Sequence, residues 1–162
     1  MMITPGMNAS LNRQIGQELA ASHGYLSMAF SFESMGLKIF AKRFMQQAEE
    51  ERGHALKIAK YIHDVGGTVT LEAVAKPKGE YSTAKAIVKA AVESELAVTN
   101  SINKLVAQAD KESDYATRSF LQWFVDEQVE EVSSMTELSQ WVAMAGENNL
   151  FQLEARIAQA MA

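Results

Sequence analysis

Residues 48–54 read Ala48-Glu49-Glu50-Glu51-Arg52-Gly53-His54, and they are the most informative segment of the sequence. In a helix, Glu51 and His54 lie on one face, because residues three apart are neighbours on a helical surface. The other residues on this face, reached in steps of three and four, are apolar: Leu37, Ala41, Phe44, Ala48, Ala55, Ile58, Ile62 and Val65. A buried carboxylate is costly unless it is paired or binds a cation. The stretch therefore predicts a core-facing helix that carries a metal-binding pair.

Three other helical segments repeat this anomaly. Glu18 interrupts the apolar face of the first segment and Glu95 that of the third, while Glu127 and Glu131 flank Gln128 beside the apolar face of the fourth. Each lies near the middle of its helix, so that the side chains could converge at one level of a four-helix bundle. Carboxylates with one imidazole favour iron or manganese over copper, and the absence of cysteine disfavours a structural zinc site.

The period of the apolar residues predicts five helices, over about 5–36, 37–65, 82–109, 114–145 and 147–160. Residues 67–82 show no helical period and form a long connection. A helix of about 27 residues spans roughly 40 Å, and some sixteen extended residues reach slightly further. We therefore expect the third helix to run parallel to the second. The short fifth helix presents an apolar face for which a neighbouring subunit is a candidate partner: Leu150, Leu153 and Ile157.

Length and composition restrict the class of protein. A chain of 162 residues is expected to form one domain, over 1–162. The net charge of −5 and the lack of a basic run argue against nucleic acid or an anionic membrane as partner. We expect no signal peptide, because the first residues lack a basic region followed by an apolar run, and no uncharged window approaches the roughly 20 apolar residues of a membrane span. Without cysteine it fits a reducing compartment, and we expect a cytoplasmic protein.

Five segments together resemble the prokaryotic non-haem ferritins: residues 17–19, 50–54, 66–68, 93–95 and 120–131. The resemblance covers nearly the whole chain, including the long connection and the last helix. It implies an all-α, ferritin-like four-helix bundle with one long crossover between the second and third helices and a short fifth helix. It also implies a ferroxidase that oxidises Fe(II) with O₂ or peroxide and stores ferric mineral inside a hollow shell of 24 identical subunits.

The resemblance assigns residues to a di-iron centre within one subunit. Glu18, Glu51 and His54 would hold the first iron. Glu51 would bridge to the second iron, which also takes Glu95, with Gln128 close by.

Further positions match the surroundings of that centre. Tyr25 matches the tyrosine beside it, and Trp123 matches a nearby aromatic residue. Haem is not expected, because Arg52 stands where bacterioferritins have a haem-ligating methionine. Arg118 and Leu121 replace the acids that line the three-fold iron pore of animal heavy chains. Four glutamates match the third iron site of prokaryotic members: Glu50, Glu127, Glu130 and Glu131.

Three other functions fit part of the pattern. A di-iron oxygenase or a manganese catalase acting on a small molecule usually has a second Glu-x-x-His, where this chain has Glu127-x-x-Glu130. A DNA-protecting mini-ferritin places its iron between subunits and lacks the last helix. The third alternative is a helical bundle that binds a partner and holds no metal.

Overall fold

The computed structural model describes residues 2–162, and within them it contains helices and no strand. The five α-helices are α1 (Pro5–Ser34), α2 (Lys38–Asp64), α3 (Ala84–Lys111), α4 (Tyr115–Ala145) and α5 (Leu150–Ala160), with a 3₁₀ turn at Glu147–Asn149. The predicted all-α fold is therefore confirmed. Across residues 2–162, no helix combines the length and the apolar character that crossing a bilayer requires.

Local chemistry accounts for the helix ends. Thr4, Thr83 and Asp114 precede α1, α3 and α4, and each side-chain oxygen accepts a hydrogen bond from the backbone N–H three residues later. These caps satisfy backbone donors that the helix itself leaves unpaired. Gly36 and Gly66 follow α1 and α2 with φ angles of 77° and 79°. Such left-handed backbone favours glycine and ends a helix.

Side-chain contacts establish the directions of the helices. Thr4, before α1, donates to Glu112, after α3. Tyr25, near the other end of α1, contacts Glu95 in the first half of α3. These two contacts show that α1 and α3 are antiparallel. α1 and α2 are also antiparallel, because only residues 35–37 join them and they pack along their lengths. α2 and α3 are therefore parallel, as the long connection predicted.

Two clusters of buried apolar side chains occupy the two ends of the bundle. One includes Phe32 and Phe40, whose stacked rings have centroids 4.7 Å apart. The other includes Leu11, Ile58 and Ile102. The buried charged side chains lie at the level between these clusters, so apolar packing above and below positions the candidate site.

The fifth helix packs against its own bundle. Leu150, Leu153 and Ile157 are buried in the first apolar cluster. An oxygen of Glu154 accepts a hydrogen bond from the backbone N–H of Ile39 at 2.7 Å, at the start of α2. A carboxylate is favourable there because it faces the positive end of the helix dipole. The apolar face that we considered for a neighbouring subunit is thus covered by the same chain, which corrects that interpretation.

Candidate metal centre

The middle of the bundle brings together one carboxylate from each of the four long helices. Glu18 and Glu51 are 0% exposed, Glu95 is 1% exposed and Glu131 is 6% exposed. His54 lies among them and is also 6% exposed. Acidic side chains are almost never buried to this extent unless they are paired or hold an ion. The structure therefore has a polar layer where the core is otherwise apolar.

The ligand atoms of this layer are close enough to share cations. Three groups have atoms that all lie within 4.8 Å of one another: Glu18 with Glu51 and His54, Glu51 with Glu95 and Glu131, and His54 with Glu127 and Glu131. Glu51 belongs to the first two groups, so its carboxylate could serve two adjacent metal positions. We call the first two groups together the buried centre.

One oxygen of Glu18 carries the clearest mark of a binding site. Glu18 Oε2 is buried and accepts no hydrogen bond, and His54 Nδ1 lies 3.8 Å away, which is too far for one. The other oxygen, Oε1, accepts a hydrogen bond from Gln14 Nε2 at 2.8 Å. An unsatisfied buried acceptor is costly, and a bound cation would satisfy it. Oxygen ligands with one imidazole suit iron or manganese.

Burial and mutual repulsion raise the pKa values of the carboxyl groups. Desolvation, followed by the charge of Glu51, raises the pKa of Glu95 to about 7. Desolvation and the charges of Glu95 and Glu51 raise the pKa of Glu131 to about 8. Burial alone would lower the pKa of His54, but contacts with Glu18 and Glu51 outweigh it and raise that pKa to about 10. The metal-free centre thus holds protons near neutral pH, and a cation must displace them.

Two neighbours hold Glu95 in place. The Tyr25 hydroxyl donates a hydrogen bond to Glu95 Oε1. Burial, and then the charge of Glu95, raise the pKa of Tyr25 well above its ordinary value, so the phenol stays protonated and remains a donor. The amide nitrogen of Gln128 lies 3.2 Å from Glu95 Oε2 and 3.1 Å from Thr99 Oγ1. With this amide orientation, Gln128 supports Glu95.

A second group of acids lines an open cleft of about 250 Å³ beside the buried centre. Glu50, Glu127 and Glu130 line it together with Glu131 and Arg43. Glu50 and Glu130 are exposed, and Glu127 is half-buried. Of these four glutamates, Glu127 and Glu131 join a potential ligand group with His54, whereas Glu50 and Glu130 belong to none of the three groups. We call this feature the acidic cleft.

Trp123 packs against the histidine of the buried centre. Its ring centroid lies 5.5 Å from that of His54, in an edge-to-face arrangement. Lys57 Nζ lies 4.0 Å above the indole ring. Trp123 thus lies next to the centre, while its indole remains 38% exposed.

Sequence reasoning missed two glutamines that support the carboxylates. Gln14 donates to Glu18 at 2.8 Å, and Gln47 donates to Glu51 at 2.9 Å. Both amides are buried. In each case the glutamine stands four residues before the glutamate, a spacing that places both on one helical face. The repeated Gln-x-x-x-Glu spacing on α1 and α2 is the sequence feature that could have indicated these two hydrogen bonds.

The bundle and its buried acids match one known family. The family model of the ferritin-like domain matches residues 8–144. The chain belongs to the ferritin family. Membership implies iron binding and iron storage at the level of the family, and it confirms the resemblance on which the sequence interpretation drew.

Related ferritins cover nearly the whole chain. The bacterial non-heme ferritin of Staphylococcus epidermidis is 36% identical over 159 residues, which are 97% of this chain and 96% of that protein. The bacterial non-heme ferritin of Staphylococcus aureus is 36% identical over 148 residues, which are 91% and 89% of the two chains. An open pore ferritin from the hyperthermophilic archaeon Archaeoglobus fulgidus superposes with a TM-score of 0.93 at 39% identity, over 96% of each chain. The four-helix bundle with a short C-terminal helix is thus shared with solved ferritins.

Proposed function

We propose that this protein is an iron-storage ferroxidase. It oxidises Fe(II) to Fe(III) with O₂ or H₂O₂ at the buried centre and stores the ferric product as mineral inside a hollow shell of 24 identical subunits. The observation that supports this most strongly is the buried layer, in which Glu51 is shared by two ligand groups and Glu18 Oε2 has no partner. We also propose that residues 1–162 form one domain and that the protein is cytoplasmic.

Fe(II) is the substrate, and two ions bind side by side. Glu18, Glu51 and His54 hold the first ion. Glu51 and Glu95, with Glu131, hold the second. Since His54, Glu95 and Glu131 carry protons near neutral pH, Fe(II) binding releases them to solvent.

Two adjacent Fe(II) ions each give one electron to the same oxidant. Two electrons and two protons reduce O₂ to H₂O₂. When H₂O₂ is the oxidant, two electrons and two protons reduce it to two water molecules. The carboxylates stabilise Fe(III) more than Fe(II), because the additional positive charge interacts more strongly with them in a low-dielectric interior. Tyr25, through its hydrogen bond, keeps Glu95 oriented toward the second ion.

The acidic cleft receives the ferric product. Glu127 shares a potential ligand group with His54 and Glu131, and it therefore connects the buried centre with the cleft. Glu50 and Glu130 are exposed along the same cleft, where hydrolysis of Fe(III) can release protons to water. We assign four glutamates to a third iron site that ions occupy on the way to the mineral: Glu50, Glu127, Glu130 and Glu131.

Replacement of the central ligands tests the oxidase activity. Glu51→Ala and His54→Ala are each mixed with Fe(II) in air-saturated buffer, and Fe(III) absorbance is followed by stopped flow. We expect the fast phase to slow by more than about 100-fold. Loss of a residue that only hydrogen-bonds to a metal ligand typically costs up to about 100-fold, and loss of the ligand itself should cost more. Glu49→Ala is the matched control, because Glu49 is exposed on the same helix. Survival of the fast phase in both variants would refute the assignment.

Storage is tested separately by loading the protein with Fe(II) in air and imaging it by electron microscopy. A dense core within a round shell is the expected result. A monomer or dimer on a sizing column, without a mineral core, would instead favour a di-iron or di-manganese oxidase that acts on a small molecule.

A further inference from the structure

The side-chain amide of Gln47 joins two carboxylates from different helices. Its Nε2 donates to Glu51 Oε1 at 2.9 Å, within α2, and to Glu131 Oε2 at 2.8 Å, across to α4. An amide nitrogen carries two hydrogens, so this contact uses both and fixes the amide orientation. Gln47 is 7% exposed, so the donor to both carboxylates is a buried side chain.

Glu131 is the carboxylate whose direction matters most. It belongs to a group with Glu51 and Glu95 in the buried centre and to a group with His54 and Glu127 beside the acidic cleft. A carboxylate has two oxygens, and the direction of the Glu131 side chain decides how its oxygens divide between the two groups. Whatever holds Glu131 against Glu51 therefore decides which metal position is complete.

Two nearby carboxylates repel each other when both are ionised, and each would rotate away from the other if nothing held it. Gln47 opposes this rotation because it offers one donor to each without adding a charge. It also lines the acidic cleft, so it stands between the cleft and the pair that it joins. Arg43, the cation of the same cleft, instead donates to Ser134 Oγ at 2.7 Å.

We propose that Gln47 is a positioning residue that holds Glu131 beside Glu51 and thereby completes the second metal position of the buried centre. The inference rests on the proposed function. Gln47 itself does not ligate the metal. Without its two hydrogen bonds, Glu131 turns toward the group with His54 and Glu127, and the second position weakens most. The first position shares Glu51, which loses its hydrogen bond at Oε1, but His54 lies beside the other oxygen, Oε2, so the first position weakens much less.

Anaerobic titration with Co(II) tests this, because the absorbance of Co(II) reports its coordination and involves no oxidation. Gln47→Met keeps the length of the side chain and removes both donors. We expect the affinity for its second equivalent of Co(II) to fall about tenfold and the affinity for its first equivalent to fall much less. Gln46→Met is the matched control: Gln46 is an exposed neighbour that lines the same cleft, and wild-type binding is expected.

A second variant keeps the test decisive if Gln47→Met does not fold. Gln47→Asn retains the amide but is one methylene shorter, so it cannot reach both carboxylates, and the same selective loss is expected. Unchanged binding of the second equivalent in the folded variants overturns the inference. Equal weakening of both equivalents also overturns it, because it indicates a general packing defect.

The two proposals fail in different ways. If wild-type protein binds two Co(II) ions but does not oxidise Fe(II) in air, the proposed function fails while the positioning role can stand. If wild-type protein oxidises Fe(II) and the Gln47 variants bind both ions as the wild type does, only the positioning role fails. Wild-type protein that binds fewer than two ions refutes both.

Discussion

The buried centre and the acidic cleft contain the same residue type in opposite surroundings. Glu51 is fully buried, whereas Glu50, the preceding residue, is exposed in the cleft. Glu131 and Glu130 form a second such pair on α4. Neighbouring residues of a helix point about 100° apart, because one turn takes 3.6 residues. One acid of each pair therefore enters the core while the other meets water.

The difference shows how burial changes the pKa and the hydrogen bonding of a carboxylate. In the buried centre, desolvation and repulsion raise the pKa values of Glu95 and Glu131, and Glu18 Oε2 has no partner. A bound cation would offset these costs, which supports the proposal that the buried centre holds metal ions. The exposed acids of the cleft keep more of their hydration, although partial burial still raises the pKa of Glu50, and we expect them to bind and release ions at smaller cost.

The largest expected effect separates the two regions directly. Glu18→Ala removes a proposed ligand of the first metal position, and we expect the initial rate of Fe(II) oxidation to fall by more than about 100-fold. Glu130→Ala removes an exposed acid of the cleft and should change that rate by less than about fivefold, since exposed charges contribute little. Stopped-flow absorbance of Fe(III) measures both. Equal losses would show that the two regions act as one site.

A smaller effect should appear when the cleft alone is changed. In the double variant Glu127→Gln and Glu130→Gln, the first two Fe(II) ions per subunit should be oxidised at the wild-type rate. Later additions should be oxidised severalfold more slowly, because in our proposal ferric ions leave the buried centre through the cleft. Successive anaerobic loading followed by exposure to O₂ measures the two stages. A slow first stage would contradict the proposed division of roles.

The smallest effect concerns the stability of metal-free protein. Glu131 has a pKa of about 8 when folded against 4.5 as a free side chain, and His54 about 10 against 6.5. The folded state therefore holds protons that the unfolded chain loses, and stability declines as pH rises through these windows. We expect the melting temperature of metal-free protein to fall by a few degrees between about pH 5 and pH 9.

Matched variants assign that pH dependence to the buried centre. Glu131→Gln should flatten it, because the amide replaces a group that titrates on unfolding. Glu130→Gln should leave it unchanged, since Glu130 is exposed. A melting temperature that rises over the same range would contradict the raised pKa values of the buried groups.

Much of the fold followed from simple patterns. Apolar residues at helical spacing predicted the helices, and the length of the 67–82 connection predicted the parallel course of α2 and α3. The fifth helix was harder, because periodicity shows that Leu150, Leu153 and Ile157 share a face but does not show what covers that face. Besides the apolar packing of this helix, Glu154 accepts a hydrogen bond from the backbone N–H of Ile39, 115 residues away in the chain, a contact that local sequence does not predict.

The site was only partly predictable. Glu51 and His54 stood out because a charged pair interrupts an apolar face at helical spacing. Gln47 did not stand out, since a neutral amide in a helix is common. The helical pattern placed Glu127 and Glu131 in equivalent positions beside Gln128, and only the folded structure distinguishes them by burial. Glu131 lies in the buried centre, and Glu127 is half-buried at its edge.

The order and spacing of the residues are enough to show that four helices each carry an acid in or beside an apolar face, and that their connections allow those acids to meet. Which oxygen atoms approach one another depends on how the helices pack in three dimensions. Gln47 and Glu131 are 84 residues apart in the chain. Their contact depends on how far each helix is rotated and shifted along its axis, which close packing of the two apolar clusters sets and helical periodicity leaves open.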